Sequence, residues 1–233
     1  MNTPLFILFI FCGMAGAIVS KKLTVPAALT GGILGAIIFM GVGWIGIVMM
    51  SAFFLLGIVA TSWKKNSKET LGLAQEKGRR NIGQVLANGG AAGILALLAI
   101  CFAEYSQLFI LMMAAAFSSA TADTVSSELG SVYGSRFYDI LSFKKGQRGL
   151  DGVISVEGLL FGIGGSILIA AIYAMADTWS PNFIWIILAG TIGNLADSYL
   201  GATLERRGTI GNNAVNFLNT AVAALAMWVL YKI

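Results

Sequence analysis

The sequence predicts an all-α integral membrane protein, a bundle of about eight transmembrane helices forming a single polytopic membrane domain over residues 1–233. Composition is the first reason, because 57% of the residues are hydrophobic, only 11% are charged, and the mean hydropathy is +0.82. Soluble domains carry about 25% charged residues, so these values are typical of membrane proteins. The second reason is that charges separate apolar runs of about 20 residues, the length that crosses a bilayer.

The apolar runs predict the individual helices in order. Pro26 and Pro181 each stand at the start of a run, where the missing N–H of proline costs little. The run at 25–40 is short and rich in glycine, so a tilted helix and a partly re-entrant helix both fit it. The predicted spans are 3–20, 25–40, 43–62, 83–103, 106–127, 153–176, 181–204 and 211–231.

Basic residues predict the orientation of the bundle. Fourteen of the fifteen lysines and arginines fall in the connections after spans 1, 3, 5 and 7, and the fifteenth is Lys232. The opposite side carries Glu104, Asp177 and almost no other charge in its loops. Because cytoplasmic connections are enriched in lysine and arginine, we expect those four connections in the cytoplasm and both termini outside. The expected location is a prokaryotic plasma membrane.

Polar residues inside the spans gather at one membrane face. Five predicted helices place their polar ends at the predicted cytoplasmic side, whereas the outward halves are nearly all Leu, Ile, Ala, Val and Gly. A channel or carrier needs polar groups along its whole path, so this distribution favours a site that serves one interface. The polar residues concerned are Asn81, Gln84 and Asn88; Thr121, Asp123, Thr124, Ser127 and Glu128; Ser155 and Glu157; Thr191, Asn194, Asp197, Ser198 and Glu205; and Asn213, Asn216, Asn219 and Thr220.

Three acidic residues, Asp123, Glu128 and Asp197, are candidates for metal binding and catalysis at this face. An aspartate at the centre of a membrane helix costs ~2.5 to 3.5 kcal/mol, so such a residue is rarely without a role. Carboxylate and amide oxygens suit Mg²⁺, which is usually held by one or two carboxylates together with waters and substrate phosphates. The simpler alternative is a helix end that leaves the bilayer.

The connection at 144–152, read as KKGQRGLDG, is a candidate phosphate-binding loop. Its cations neutralise phosphate, and glycines allow backbone N–H groups to approach phosphate oxygens at the start of the next helix. No GxxxxGK[ST] motif is present, and the positive-inside rule or contact with anionic lipid also explains the charges. That rule alone explains Lys64, Lys65 and Lys68. The residues proposed for phosphate are Lys144, Lys145, Arg148, Gly149 and Gly152.

Several smaller features limit or extend this interpretation. Histidine is absent, which excludes histidine-based acid–base catalysis, and Cys12 and Cys101 lie in apolar runs, so neither a disulfide nor a thiolate metal site is indicated. Gly158 and Gly162 form a GxxxG pair typical of close helix packing. The asparagines of span 8 either bond across helices or contact metal and nucleotide.

Alanine, aspartate and a hydroxyl residue occur together twice, as ADT at 122–124 and ADS at 196–198. Both copies end helices that run in the same direction, so spans 5–6 and 7–8 allow a degenerate helix-pair repeat. Three matching residues in alanine-rich helices also arise by chance, and both explanations stay open.

Five segments form a recognisable series of motifs along essentially the whole chain. They read NIGQVLANGG (81–90), ATADTVSSELG (120–130), GLDGVISVEG (149–158), LADSYLGATLE (195–205) and NNAVN (212–216). In this order they resemble the phytyl-phosphate and polyprenyl-phosphate kinase family of integral membrane proteins, formerly a domain of unknown function, which includes the plant chloroplast enzyme of the vitamin E pathway. The resemblance implies transfer of the terminal phosphate of a nucleoside triphosphate, with CTP expected, to an isoprenoid monophosphate.

The resemblance also assigns residues by position. The family's motif residues fall on Asn88 and Gly89; Asp123, Thr124, Ser127 and Glu128; Ser155, Glu157 and Gly158; Asp197, Ser198, Gly201 and Thr203; and Asn212 or Asn213, Val215 and Asn216. Two positions depart from the family: Leu150 stands where threonine is usual, and Glu205 where glutamine is common. The first departure removes a hydroxyl from the predicted phosphate loop, where backbone amides remain available.

The sequence therefore predicts a Mg²⁺-dependent membrane kinase that acts on an isoprenoid monophosphate such as a phytyl or geranylgeranyl phosphate. Asp123, Glu128 and Asp197 would bind Mg²⁺ directly or through water. The expected partners are a nucleoside triphosphate, the isoprenoid phosphate and membrane lipids, without nucleic acid. The residues predicted to contact nucleotide or phosphate are Asn88, Lys144, Lys145, Arg148, Gly149, Gly152, Ser155, Glu157, Ser198, Asn213 and Asn216.

Two other functions remain as alternatives. One is a cation-coupled carrier of a small anion, in which the acidic residues bind the coupling ion. The other is a non-catalytic membrane module that binds lipid. The apolar outward half of the chain argues against the carrier, and the number of costly acidic residues argues against the module.

Overall fold

The chain folds into a bundle of long helices in the computed structural model, which describes residues 2–70, 72, 78–176 and 179–233. The described residues form nine α-helices and two short strands. The helices are α1 Thr3–Val19, α2 Val25–Val42, α3 Trp44–Ser62, α4 Lys65–Thr70, α5 Ile82–Cys101, α6 Ser106–Tyr133, α7 Val156–Ala176, α8 Asn182–Leu200 and α9 Asn212–Leu230. The strands are β1 Phe137–Asp139 and β2 Val153–Ser155, which pair antiparallel.

The helices confirm the predicted fold class. Among the described residues, seven helices are long and apolar enough to cross a membrane, and α1 is a shorter apolar helix of 17 residues. Each of the eight corresponds to one predicted span, while α4 is a short helix in the connection between α3 and α5. The second span is a regular helix of 18 residues, so it is not re-entrant. Two of the charges that predict the orientation, Lys77 after span 3 and Asp177 on the opposite side, lie outside the described residues.

Local capping fixes where two of these helices begin. The side chain of Thr24 accepts a hydrogen bond from the N–H of Ala27, which starts α2 at its proline-containing first turn. At α5, Asn81 and Gln84 form a reciprocal capping box, each side chain accepting the other's backbone N–H. Such caps satisfy N–H groups that have no partner within the helix.

Two predicted boundaries around the loop after span 5 are wrong. Helix α6 continues to Tyr133, six residues beyond the predicted end at 127, because it packs closely against α7 there. A Cβ atom on Gly130 would lie 2.7 Å from Cα of Gly158, so the glycine allows this approach. The predicted span at 153–176 begins three residues too early, since Val153–Ser155 is strand β2 and α7 begins at Val156. Gly162 also lies against α6, which confirms the packing role predicted for the GxxxG pair.

The seventh span ends in an irregular turn. Helix α8 is regular to Leu200 and then widens into a π-helical turn at Gly201–Glu205. The N–H of Arg206 closes that turn on the carbonyl of Gly201 at 3.0 Å. Turns of this kind occur frequently at functional sites, because the extra residue changes the direction of the side chains that follow.

Helix α6 is the centre of the bundle. It packs against α3, α5, α7, α8 and α9, and most of its residues are buried. The largest buried apolar side chains lie in the half of the bundle that contains the start of α6; they include Ile38, Ile47, Leu111, Met113, Ile169, Ile186 and Met227. The opposite end carries the connections that follow α1, α3, α6 and α8, and we call it the basic end.

Candidate active site

Two membrane-helix aspartates meet at the basic end. Asp123 of α6 and Asp197 of α8 place their carboxyl groups within hydrogen-bonding contact of each other. The amide of Asn219, on α9, donates to Asp197 Oδ1 at 2.6 Å, and its own Oδ1 accepts from Ser119 Oγ at 3.0 Å. The two Ala-Asp-hydroxyl motifs therefore face each other, and three helices hold the pair in a connected polar network. Such networks are rigid when every member has a partner.

More negative charge surrounds this aspartate pair. Glu205, in the π-helical turn, is close enough to interact electrostatically with both Asp123 and Asp197, and Asp151 interacts with Asp197 and Glu205. Two carboxylates in contact repel each other unless a proton or a cation lies between them. We call the carboxyl groups of Asp123, Asp151, Asp197 and Glu205 the acidic region, where a proton or a cation would be stabilised.

The donor set fits Mg²⁺. Within the described part of the chain, no group of three or more acidic, histidine or cysteine residues is arranged to hold a metal ion. Asp123 and Asp197 supply two carboxylates, with the amide of Asn219 beside them. Mg²⁺ commonly uses one or two protein carboxylates and completes its shell with waters and substrate phosphates. A site of two carboxylates is thus compatible with magnesium carried by a nucleotide.

Glu128, the third predicted metal ligand, forms an ion pair with Lys68. The two side chains are only 13% and 4% exposed, and Lys68 Nζ also donates to the carbonyl of Ala60 at 2.8 Å. The prediction that the positive-inside rule alone explains Lys68 is therefore wrong, because this lysine of α4 is buried against α3 and α6. Glu128 still interacts electrostatically with Asp123.

Arg80 is a second cation beside Glu128. Its backbone is held by the connection between α1 and α2, donating to the carbonyl of Lys22 at 2.9 Å and accepting from the N–H of Thr24 at 3.1 Å. The guanidinium lies next to Gly57, where a Cβ atom would be 2.8 Å from Nη2. Burial lowers the pKa of Arg80, and the negative charge of Glu128 acts in the opposite direction. Two cations thus lie on the α3 side of the acidic region.

The predicted phosphate loop is folded onto the end of α8. Arg206 donates to Asp139 Oδ2 at 2.8 Å and, through Nε, to the carbonyl of Asp151 at 3.1 Å. Gly152 has a φ of +73° and is buried against Ser198 and the π-helical turn, so a side chain would be strained there. The loop therefore reaches the acidic region through its backbone at 151–152.

The three loop cations behave differently from one another. Arg148 donates to the carbonyl of Gly134 at 2.7 Å and lies 4.6 Å from the centre of the Phe137 ring, so its guanidinium is used within the loop. Lys144 and Lys145 are exposed. Gly149 has a φ of +85°, a conformation that glycine adopts without strain. The loop is thus held by its own contacts, and the side chains of Lys144 and Lys145 are exposed at its surface.

The ion pair between Arg206 and Asp139, which holds this loop, can be tested at neutral pH. Hydrogen bonds from Arg206 and Ser142 lower the pKa of Asp139 from 3.8 to about 2. Because the folded-state pKa lies below the ordinary value, the stabilisation is complete above pH ~4 and is lost as the pH falls toward 2. We therefore expect Asp139→Asn to accelerate trypsin cleavage after Lys144 or Lys145 several-fold at neutral pH.

Asp151→Asn is the matched control, because Arg206 contacts the backbone carbonyl of Asp151 and not its side chain. This variant should be cut at the rate of the wild-type protein. Equal cleavage of all three proteins would mean that the Arg206–Asp139 pair does not hold the loop.

The remaining predicted phosphate contacts at the ends of α7 and α8 make local hydrogen bonds. Ser155 Oγ accepts from the N–H of Gly158 at 3.1 Å and so caps α7. Glu157 accepts from Ser135, at 3.2 Å from its N–H and 2.5 Å from its hydroxyl. Ser198 Oγ donates to the carbonyl of Asn194 at 3.4 Å. Of these, Ser198 lies closest in sequence to the aspartate pair.

The predicted asparagines divide into two groups. At the start of α9, the Asn212 amide donates to Glu205 and its Oδ1 accepts from Asn216 at 3.2 Å, while Asn213 faces α5. On α5, the Asn88 amide donates to the carbonyl of Gln84 at 3.0 Å, and its buried Oδ1 has no partner among the described residues. An unpaired buried oxygen is unusual in a folded protein and marks a position where a ligand donor fits.

Sequence reasoning missed two cations beside the acidic region, Lys68 and Arg206. Both belong to charge clusters that the positive-inside rule already explains, so the motif order contained no signal for them. Arg80, together with Arg79, is predicted from the sequence as a cation of this face that could neutralise phosphate. Asn219 was noted only as a member of an asparagine series. Its spacing to Asn216 and Asn212 was the available signal that one face of α9 points toward α8.

The chain is similar in sequence to several known membrane proteins. A family model described as "Integral membrane protein DUF92" matches residues 8–224. The Arabidopsis thaliana protein "Protein VTE6, chloroplastic" is 32% identical over 201 residues, which cover 83% of this chain and 60% of the plant protein. The chain thus spans less than two thirds of that relative.

Two prokaryotic relatives are covered more fully. An uncharacterized membrane protein of Synechocystis sp. is 32% identical over 89% of this chain and 83% of its own length. An uncharacterized membrane protein of Methanocaldococcus jannaschii is 31% identical over 91% of this chain and 87% of its own length. No solved structure matches the chain.

Proposed function

Because the chain belongs to the DUF92 family of integral membrane proteins, as its motifs predicted, we propose that it is a membrane-embedded kinase. It transfers the terminal phosphate of a nucleoside triphosphate, CTP in our proposal, to an isoprenoid monophosphate and releases the diphosphate. Similarity to the chloroplastic protein VTE6 supports this class of activity. The observation that carries the proposal is the contact between the half-buried side chains of Asp123 and Asp197.

Asp123 and Asp197 would hold Mg²⁺, with Asn219 orienting Asp197 through its 2.6 Å hydrogen bond. When bound, the metal neutralises negative charge on the phosphates of the nucleotide. Glu128 is engaged by Lys68, so we assign it to placing that cation and to contacting metal only through water. Lys68 and Arg80 then provide positive charge on one side of the acidic region, and the exposed Lys144 and Lys145 provide it at the surface.

The chemistry requires positioning more than acid–base catalysis. An oxygen of the acceptor monophosphate attacks the terminal phosphorus of the triphosphate, a new P–O–P linkage forms, and the bond to the β-phosphate oxygen breaks to release the nucleoside diphosphate. The attacking oxygen is already anionic, so no strong base is needed, and the absence of histidine is no obstacle. Residues of this site align the two phosphates and reduce their repulsion.

The direct test is a transfer assay with the purified protein in lipid nanodiscs. We expect geranylgeranyl or phytyl monophosphate to become diphosphate only when a triphosphate and Mg²⁺ are both present, with CTP used faster than ATP, GTP or UTP. EDTA should stop the reaction. Failure to form diphosphate with any of the four triphosphates would remove the kinase proposal, and faster use of another triphosphate would remove only the assignment of CTP.

A cation-coupled carrier predicts a different result. It binds no triphosphate, and its flux depends on an ion gradient across the membrane. The half of the bundle opposite the basic end is filled by apolar side chains such as Met113, Ile169 and Met227, which supports the kinase over a path through the protein. Flux of a small anion in sealed vesicles, without diphosphate formation, would favour the carrier.

Orientation is part of the same proposal: the basic end faces the cytoplasm of a prokaryotic cell, where triphosphate is available. After Cys12 and Cys101 are replaced by alanine, a cysteine at exposed Gln147 should react only with reagents that enter the cytoplasm. A cysteine at exposed Glu104 should be labelled from outside intact cells. Outside labelling at position 147 would put the aspartate pair on the wrong side of the membrane for this substrate.

A further inference from the structure

A long groove of about 500 Å³ lies between α2, α5 and α9. On α5 its wall runs from Gly83 to Leu97, which is about 21 Å of helix at 1.5 Å per residue. All of the residues that line it are apolar or glycine, except Asn213. Its volume lies within the range of about 300 to 1,000 Å³ typical of sites for small ligands.

The groove opens sideways toward the bilayer. Leu86, Ile94 and Leu97 belong to its wall on α5, and their side chains are also among the exposed large apolar residues of the bundle. A ligand with a hydrocarbon chain can therefore enter from the membrane without crossing water. Glycines at 83, 90 and 93 have no side chains, so this face of α5 leaves room for the groove.

One end of the groove is polar. A second pocket, of about 440 Å³, shares Asn213 and Ala214 with the groove and is otherwise lined by Asn81, Gln84, Gly211 and Asn212. Asn212 also donates to Glu205, which interacts electrostatically with Asp197. The polar pocket is thus continuous with the groove on one side and adjoins the acidic region on the other.

We propose that this groove holds the single hydrocarbon chain of the isoprenoid monophosphate, with the phosphate head in the polar pocket. The inference rests on the proposed function and names the place where its lipid substrate binds. An apolar groove that ends in side-chain amides matches a molecule with one tail and one small anionic head, because amide N–H groups donate to phosphate oxygens. Because the polar pocket lies beside Glu205, the phosphate head would lie next to the groups that would hold the nucleotide.

Gly90 controls the width of the groove. A Cβ atom at this position would lie 3.3 Å from Cε2 of Phe217 across the groove, so any larger side chain extends into the space for the tail. Gly164, on α7, is the matched control, because a Cβ atom there has nothing within 4 Å and the residue does not line the groove. Leucine suits a membrane helix at both positions, but at Gly90 it also presses on Phe217, so activity retained on a short substrate is the evidence that the Gly90 variant is folded.

Binding is tested on the wild-type protein with a diazirine analogue of geranylgeranyl monophosphate that carries the photoreactive group on its tail. Cross-links should map to α2, α5 and α9, and unlabelled phytyl monophosphate should displace the probe at least tenfold better than phosphatidic acid. Cross-links elsewhere, or equal displacement by the two-chain phosphatidic acid, would overturn the proposal and indicate a general lipid-facing surface.

Variants then test the groove independently of turnover. Gly90→Leu should reduce probe labelling at least tenfold, whereas Gly164→Leu should leave it unchanged. In the transfer assay, Gly90→Leu should lose activity on geranylgeranyl monophosphate but keep activity on the short dimethylallyl monophosphate. Labelling of the groove without any diphosphate formation would refute the kinase and leave the lipid site standing. Normal turnover and labelling in Gly90→Leu would refute the groove alone.

Discussion

Asp123→Asn and Asp197→Asn should each retain less than about a tenth of wild-type diphosphate formation while the protein stays folded. The substitutions are nearly isosteric, but each removes one of the two carboxylates that would hold Mg²⁺. A tenfold loss corresponds to about 1.4 kcal/mol of transition-state stabilisation, and loss of a metal ligand is expected to exceed that. Since the change also relieves the repulsion between two half-buried acids in contact, thermal stability should hold or rise.

Glu104→Gln provides the control for this experiment, because it neutralises an exposed acidic residue in the connection at the end opposite the basic end. Its activity should equal that of the wild-type protein. If either aspartate variant keeps more than a tenth of the activity, that residue is not a metal ligand. If activity and folding are lost together, the aspartate pair is a structural contact instead.

The fold was predictable because it depends on patterns that act over one helix at a time. Eight apolar runs correspond to eight helices of 17 to 28 residues, and Pro26 and Pro181 marked the starts of two of them. The boundaries that failed depend on contacts between distant segments. Helix α6 extends to Tyr133 because Gly130 meets Gly158 of α7, and no local pattern near residue 127 reports that contact.

The candidate site was predictable only in part. Asp123 and Asp197 could be placed at the same membrane face from the direction of their helices, but not in contact, because helix rotation depends on the packing of the whole bundle. Asn219 reaches Asp197 for the same reason. The groove between α2, α5 and α9 was also beyond prediction, since these helices are far apart in sequence.

Sequence rules about charge did not reveal that Lys68 is buried. Hydropathy treats a lysine as a solvent-facing residue, and the positive-inside rule gives Lys64, Lys65 and Lys68 one common explanation. Only the position of α4 against α3 and α6 separates them, burying Lys68 while Lys65 stays exposed. The strands β1 and β2 were missed because three residues each are too few to show a period, and their pairing needs the loop folded by Arg206.

Lys68→Met should strongly destabilise the protein. It leaves the carboxylate of Glu128, whose side chain is 13% exposed, without its ion-pair partner. Removing one member of a buried pair costs ~3 to 5 kcal/mol, because the remaining charge is desolvated and unpaired. The measurement is the free energy of unfolding in mixed micelles, with Lys65→Met as the control from the exposed face of the same short helix.

The double variant Lys68→Met/Glu128→Gln completes the test. Because it removes both charges together, it should be more stable than Lys68→Met alone, and the cycle should show a coupling energy within the ~0.5 to 3 kcal/mol range of interacting neighbours. A Lys68→Met protein as stable as Lys65→Met, or a coupling near zero, would mean that the ion pair does not hold α4 against α6. If the double variant recovers stability but binds triphosphate at least tenfold more weakly than Glu128→Gln alone, Lys68 also supplies positive charge to the nucleotide. Its contribution to binding then separates from its contribution to the fold.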